Sequence, residues 1–174
     1  MLWWLKKLIR HPARIGSIAP SSRFLARLMV RELKPGMRIL ELGPGEGAIT
    51  RRILEQIGAA EKLTLLERDP ELADICAKKF PDCELLRGDA ADILERDTRT
   101  FDAILSGIPF AVMHEEKRQR VFTLIRDHLE PDGSFIMFQY SRHTLHELKD
   151  IFPRVEVNLT FKNLPPAFVF TCRN

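Results

Sequence analysis

The stretch Glu41-Leu42-Gly43-Pro44-Gly45-Glu46-Gly47 follows the apolar run Met37 to Leu40 and precedes a helix-like stretch from Ala48 to Ile57. A glycine-rich turn between a strand and a helix lets backbone N–H groups approach a ligand, because no Cβ atoms stand in the way. The chain therefore reads as one that binds a nucleotide or nucleoside cofactor. Gly43, Gly45 and Ala48 also satisfy the looser G-x-G-x-x-G/A spacing of dinucleotide-binding folds, so the turn alone does not name the ligand. Three further features narrow it: the acid Glu41 that opens the turn, the extra glycine Gly47, and the later segments Leu65-Leu66-Glu67 and Gly88-Asp89-Ala90. Glu67 ends a second apolar run about 20 residues beyond the glycines, where an acid suits the two hydroxyls of a ribose.

Outward from the turn, apolar periodicity predicts strands over 37–42, 62–67, 83–87, 101–106, 133–140, 154–160 and 166–172. Helices are expected over 46–57, 70–79, 90–95, 113–129 and 142–151, preceded by one from Phe24 to Leu33 with Ser21 or Ser22 as its cap. Asp69 before Pro70 reads as an N-cap, Gly58 as a C-cap and Pro131-Asp132-Gly133 as a turn. Alternation of this kind predicts an α/β fold with a mostly parallel seven-stranded sheet and helices on both faces. Only the short link Lys162 to Pro166 separates the last two strands, so they should close the sheet as an antiparallel hairpin. The 174 residues are enough for one domain with a core of its own. Within it, residues 1–34 read as a peripheral N-terminal segment and 35–174 as the cofactor-binding core.

The net charge of +3 is unevenly placed. Lys6, Lys7, Arg10, Arg14, Arg23, Arg27 and Arg31 stand in the first 31 residues with no acid among them, which leaves 20 basic against 24 acidic residues beyond. A general affinity for nucleic acid is therefore not expected from the body of the chain. From Met1 to His11, Leu2, Leu5, Leu8 and Ile9 share a helical stripe with Trp4 at its edge, and Pro12 stops it. Such a segment is too short to span a bilayer but suits its surface, with Trp3 and Trp4 at headgroup level and Lys6, Lys7 and Arg10 toward anionic lipid. It lacks the apolar core and cleavage site of a secretory signal, so a cytoplasmic protein held peripherally at the inner face of the cell membrane is expected. Cys76, Cys83 and Cys172 lack paired spacing, and His143 and His146 have no evident acidic or thiol partner, so no disulfide and no metal site is expected.

The E-x-G-x-G-x-G turn, the strand-end Glu67 and the Gly-Asp-Ala segment together resemble the S-adenosylmethionine-dependent methyltransferases of the Rossmann-like class. That resemblance implies S-adenosylmethionine as cofactor, with Glu41, Gly43, Gly45 and Gly47 along its methionine part and the N-terminal segment within residues 1–34 covering that part. It also implies that Glu67 and the adjacent Arg68 lie at the ribose, Asp89 and Ala90 at the adenine, and Ser106 beside them. After the fourth strand, Ser106-Gly107-Ile108-Pro109-Phe110 is similar to the Asn-Leu-Pro-Tyr segment of rRNA adenine N6-methyltransferases, with Ser106 in place of the asparagine and Phe110 in place of the tyrosine, so an rRNA adenine N6-dimethyltransferase-like enzyme is the alternative reading.

More of the chain resembles the bacterial phosphatidylethanolamine N-methyltransferases. The segments that carry this likeness are Arg14 to Arg23, Glu41 to Gly45, Ser106 to Pro109, Gln139-Tyr140-Ser141 and Asn163 to Ala167. Membership implies stepwise methylation of an aminolipid headgroup at a membrane, and an ornithine lipid is compatible with the same pattern. Tyr140, the only tyrosine, ends the fifth strand and is the first choice for the catalytic site, with Ser106 and Pro109 beside it. Phe110 is read as a wall that attracts a methylated ammonium, or as packing. Arg142, His143 and Lys162 are the cations nearest the expected pocket and are candidates for the lipid phosphate.

Overall fold

The computed structural model describes residues 20–161 and 166–174. Trp3, Trp4, Lys6, Lys7, Arg10 and Lys162, read above as membrane or phosphate contacts, lie outside the described residues. The sheet strands are β1 (Ile39–Leu42), β2 (Leu63–Glu67), β3 (Glu84–Arg87), β4 (Phe101–Ser106), β5 (Leu129–Gln139), β6 (Arg154–Thr160) and β7 (Ala167–Arg173). The helices are α1 (Pro20–Val30), α2 (Ala48–Ile57), α3 (Pro70–Lys79), α4 (Ala90–Leu94), α5 (Glu115–Asp127) and α6 (Leu145–Ile151). The seven strands lie in the order β3-β2-β1-β4-β5-β7-β6, with β1 to β5 parallel and β7 antiparallel to both β5 and β6. The expected hairpin is present, Thr160 lying opposite Ala167.

Every residue of β1 and of β2 is buried, as continuous apolar strands are when helices cover both sheet faces. On one face Leu25, Met29, Ile53, Ile57 and Cys76 of α1, α2 and α3 pack on Ile39, Leu63, Leu105 and Ile136. On the other, α4, α5 and α6 cover Leu40, Leu42, Ile104, Met137 and Phe170. The centre of that second layer is aromatic. The rings of Phe110 and Phe122 are 4.7 Å apart, and those of Phe135 and Phe152 stack at 5.9 Å. Edge strand β6, by contrast, keeps most of its length in solvent.

Three local readings are corrected. Ser21 and Ser22 lie inside α1, which already includes Pro20, so neither is its cap. The helix expected from residue 142 begins at Leu145, after a turn through Arg142 to Thr144. Pro131-Asp132-Gly133 falls within the span of β5, yet the chain still makes an excursion there: while β4 advances from Phe101 to Ala103, β5 advances from Leu129 to Ser134. A proline and a glycine accommodate such a bulge where a regular ladder could not. The caps at Asp69 and Gly58 are as expected. The Asp69 carboxylate accepts from the N–H groups of Glu71 and Leu72, and the N–H of Gly58, at φ +68°, donates to the Leu54 carbonyl.

One charged pair lies inside the second layer. Arg118 of α5, 3% exposed, donates to Glu147 of α6 at 2.8 Å and to the carbonyl of Met113 at 2.8 Å. The pair joins two helices and the turn between β4 and α5, and the hydrogen bond to Glu147 raises the Arg118 pKa further. Removing one partner leaves the other charge buried and uncompensated. Arg118→Ala should therefore lower the unfolding free energy by about 3 kcal/mol; a denaturation midpoint equal to that of the wild type would show that the pair carries no such weight.

Candidate active site

Parallel strands β1 and β4 lie side by side at the centre of the sheet, and the chain leaves their carboxyl ends in opposite directions, toward β2 on one side and β5 on the other. Open α/β sheets bind ligands in the crevice formed at such a point. The two departing turns come very close. A Cβ on Gly107 would stand 2.8 Å from the Gly43 carbonyl oxygen, so only a glycine lets the β4 turn cross over the β1 turn. Beside Gly45 nothing lies within 4 Å of where a Cβ would be, so the floor of the crevice is open there. Gly47 has a different reason. At φ +84° a side chain would meet the Phe80 ring at 2.2 Å, so packing against α3 demands this glycine.

Glu41, fully buried at the end of β1, receives the Thr50 hydroxyl on Oε2 at 2.6 Å, while its Oε1 has no hydrogen-bond partner. Burial pushes its carboxyl group up to about 8; the Thr50 hydrogen bond opposes the shift and the charge of Glu67 adds to it. At neutral pH Glu41 is thus mostly a protonated acid under the glycine turn. A buried, half-satisfied carboxyl beside an open backbone cradle is suited to a cationic group.

Glu67, 7% exposed at the end of β2, accepts from the N–H of Gly45 at 3.1 Å and of Asp69 at 3.0 Å. It stabilises the turn and keeps further lone pairs on both oxygens for hydroxyl donors. The thiol of Cys76, pushed up to about 11 by burial and by the Glu41 and Glu67 charges, donates to the Gly45 carbonyl at 3.1 Å. Asp89 caps α4 through the N–H of Ala91 at 3.1 Å and pairs with Lys117 at 2.6 Å. Burial works against its ionisation, but Lys117, the Ala91 N–H and Arg68 together hold its pKa below the usual carboxylate value. Ala90 is buried next to it, and Arg68, mostly exposed, stands 3.8 Å from the Asp89 carboxylate.

Ser106 is fully buried, and its Oγ accepts from the N–H of Ile108 at 3.1 Å, which folds the β4 turn back on itself. Pro109 is half-buried in that turn. Phe110 points elsewhere. It has no exposed surface and lies among Phe122 and Phe135, so the reading as a wall for a methylated ammonium is corrected to core packing. A proline next to an aromatic fixes the turn, not the side toward which the ring goes.

Gln139 was not singled out from the sequence, and it holds the turn. Its amide Nε2 donates to the Ile108 carbonyl at 3.0 Å and its Oε1 accepts from the Ala111 N–H at 3.4 Å, with only 4% of the residue exposed. The available signal was strand parity, since Phe135, Met137 and Gln139 share one face of β5 and the first two are core residues. Tyr140 follows on the other face, half-buried and edge-on to Phe138 at 5.8 Å. Arg142 and His143 are exposed just beyond, and His143 lines a shallow cleft with Val112, Met113 and His114. The larger surface cleft, at Leu86, Ile93 and Arg96 to Arg99, includes none of these residues. Among the described residues no group of three or more metal-ligating side chains exists.

Residues 39–133 match the model of the family described as "Methyltransferase domain", a span that runs from β1 into β5. The chain belongs to the methyltransferase-domain family. It is 29% identical to the ornithine lipid N-methyltransferase of Singulisphaera acidiphila over 98% of its own length and 94% of that protein. It is 31% identical to the dimethyladenosine transferase of Yarrowia lipolytica over 63% of its length, and there spans only 33% of the relative. The fold matches that of the N-methyltransferase NodS of Bradyrhizobium japonicum, solved with S-adenosyl-L-homocysteine, at a TM-score of 0.71, 14% identity and coverage of 88% of this chain and 85% of that one. The protein is an S-adenosylmethionine-dependent methyltransferase of Rossmann-like fold.

The crevice fits this cofactor, because the methionine part carries the positive charge that the orphaned Glu41 oxygen lacks. A cation bound there favours ionised Glu41, so binding below pH 8 releases a proton. Cofactor affinity should therefore rise with pH by up to about tenfold per unit and level off near pH 8. In Glu41→Gln it should be weaker and lose this rise; a calorimetric pH profile unchanged by the substitution would exclude Glu41 from the linkage. Gln139→Leu should leave cofactor affinity intact and lower kcat by about tenfold, since a loosened turn misplaces the acceptor. An unaltered kcat would show that the two amide bonds are not needed.

Proposed function

We propose that this methyltransferase acts on the amine of an aminolipid headgroup at a membrane surface, the acceptor being phosphatidylethanolamine or an ornithine lipid. The observation that carries the reading is the extent of similarity. The chain spans 94% of a lipid N-methyltransferase but only a third of a dimethyladenosine transferase. The site agrees with it. Ser106, in place of an amide side chain, is buried and turned inward onto the Ile108 N–H, so no side-chain amide is offered there to a planar base.

Bound in the crevice, the cofactor supplies a methyl group on a positively charged sulfur. The residues assigned to hold it are Glu41, Gly43, Gly45, Gly47, Glu67, Arg68, Asp89, Ala90 and Ser106. An alkylammonium group has a pKa near 10, so the acceptor must lose a proton before its nitrogen can attack. The Ile108 carbonyl is occupied by the Phe110 N–H and the Gln139 amide. We assign to the Tyr140 hydroxyl at the end of β5 the relay of that proton, accepting it from the ammonium as its own proton passes to water, with Ser106 and Pro109 shaping the place of the amine. Arg142, His143 and Lys162 are the cations assigned to the lipid phosphate. No helix among the described residues is long and apolar enough to cross a membrane. In this reading residues 1–34 bind the inner membrane surface from the cytoplasm through Trp3, Trp4, Lys6, Lys7 and Arg10 and cover the cofactor, while 35–174 form the catalytic core.

The test is to supply methyl-labelled cofactor with phosphatidylethanolamine vesicles, ornithine-lipid vesicles and rRNA in separate reactions. Label is expected in one of the lipid fractions, and Tyr140→Phe should slow it by about 100-fold if a proton acceptor is lost. Label in RNA alone would overturn the lipid reading, and full activity of Tyr140→Phe would remove the hydroxyl from the mechanism.

A further inference from the structure

The large apolar side chains that the described residues leave exposed are Phe24, Val112, Val157, Leu159 and Phe161. Single exposed apolar residues need no explanation, but Leu159 and Phe161 at the end of β6, and Val112 in the turn after β4, lie toward the carboxyl edge of the sheet. Because β5 and β6 are each antiparallel to β7, they run parallel to one another, and β6, one strand removed from β5, ends at the same carboxyl edge of the sheet as the site. Leu159 pairs with Phe168, which pairs in turn with Gln139, so Leu159 lies on the sheet face that carries the clamped turn. Val112 belongs to that turn. Phe161, 78% exposed, follows β6 at the same edge. α1 leads through residues 31–38 to the amino edge, where β1 begins, so Phe24 near its start lies back toward the carboxyl edge, on the other face.

We propose that this apolar rim is a surface that sits in the bilayer interface and brings the mouth of the acceptor site to the lipid headgroups, with Phe161 as its most deeply placed side chain. The proposal rests on the aminolipid reading. Charge and chain path point to a bilayer as the occupant. Exposed Arg23 adjoins Phe24, and exposed Arg142 and His143 follow Tyr140 at the same edge, so cations are interleaved with the apolar groups as an anionic lipid surface requires. α1 starts at Pro20 toward this edge, and the sequence that precedes it, outside the described residues, includes Trp3, Trp4, Lys6, Lys7 and Arg10. Two separate apolar elements on either side of one opening would also orient the molecule, which a single anchoring segment does not.

The test compares the wild-type full chain with Phe161→Asp and Leu159→Asp by co-sedimentation with vesicles of phosphatidylethanolamine and phosphatidylglycerol, alongside cofactor affinity, thermal midpoint and sedimentation velocity. Each substitution should weaken vesicle partition by about tenfold or more with cofactor affinity and midpoint unchanged. Activity on a short-chain, monomeric phosphatidylethanolamine should persist in the variants while activity on vesicles falls. Equal partition of wild type and variants would overturn the proposal, as would a wild-type dimer that the variants dissociate without any change in partition, which would assign the rim to a second copy pairing along β6. Partition is read without turnover, so a failure to methylate lipid would refute the substrate reading by itself and would be seen separately from a failure of the surface.

Discussion

The approach of Gly107 to the Gly43 carbonyl is the constraint on which the site depends. It brings two turns, one from each half of the sheet, within van der Waals contact where the chain departs in opposite directions. The ladder bonds continue past the strand ends to hold this arrangement, with the Gly107 N–H on the Leu42 carbonyl and the Gly43 N–H on that of Leu66. Methyl transfer needs donor and acceptor in line at short range, and under the proposed assignment backbone packing would set that alignment more than any side chain.

Around the contact, each turn is braced by buried polar groups. Glu67 and Cys76 tie down the Gly45 peptide, one through its N–H and the other through its carbonyl. Gln139 and Arg118 do the same for the turn from Ile108 to Met113. Glu41 differs from these, because one of its oxygens is left without a partner in a place where such an omission is costly. The protein thus carries a local destabilisation at Glu41, which a cation bound as proposed would relieve.

The sequence made the sheet and its cofactor edge legible because both rest on short-range signals: apolar runs of strand length, an acid at each strand end and glycines between them. It was least informative where a side chain's direction depends on distant packing. Phe110 was indistinguishable from a pocket aromatic until α5 and β5 placed Phe122 and Phe135 around it. Gln139 belongs to a segment that carries the likeness, but its bracing role is not legible in the motif; its parity with Phe135 and Met137 marks it as an inward polar residue that needs partners. Pro131 to Gly133 has the composition of a turn and behaves as one, yet pairing resumes so soon that it sits within a strand.

The two ends of the site are fastened by different forces. Asp89, expected beside the adenine, is engaged by Lys117 and Arg68, both of which face solvent. The acceptor turn is held by the neutral amide of Gln139, buried and without charge. Dissolved salt screens the first and leaves the second nearly untouched. Ionic strength next to a charged surface therefore sets how firmly Lys117 holds Asp89, while the geometry of the turn that Gln139 braces stays the same.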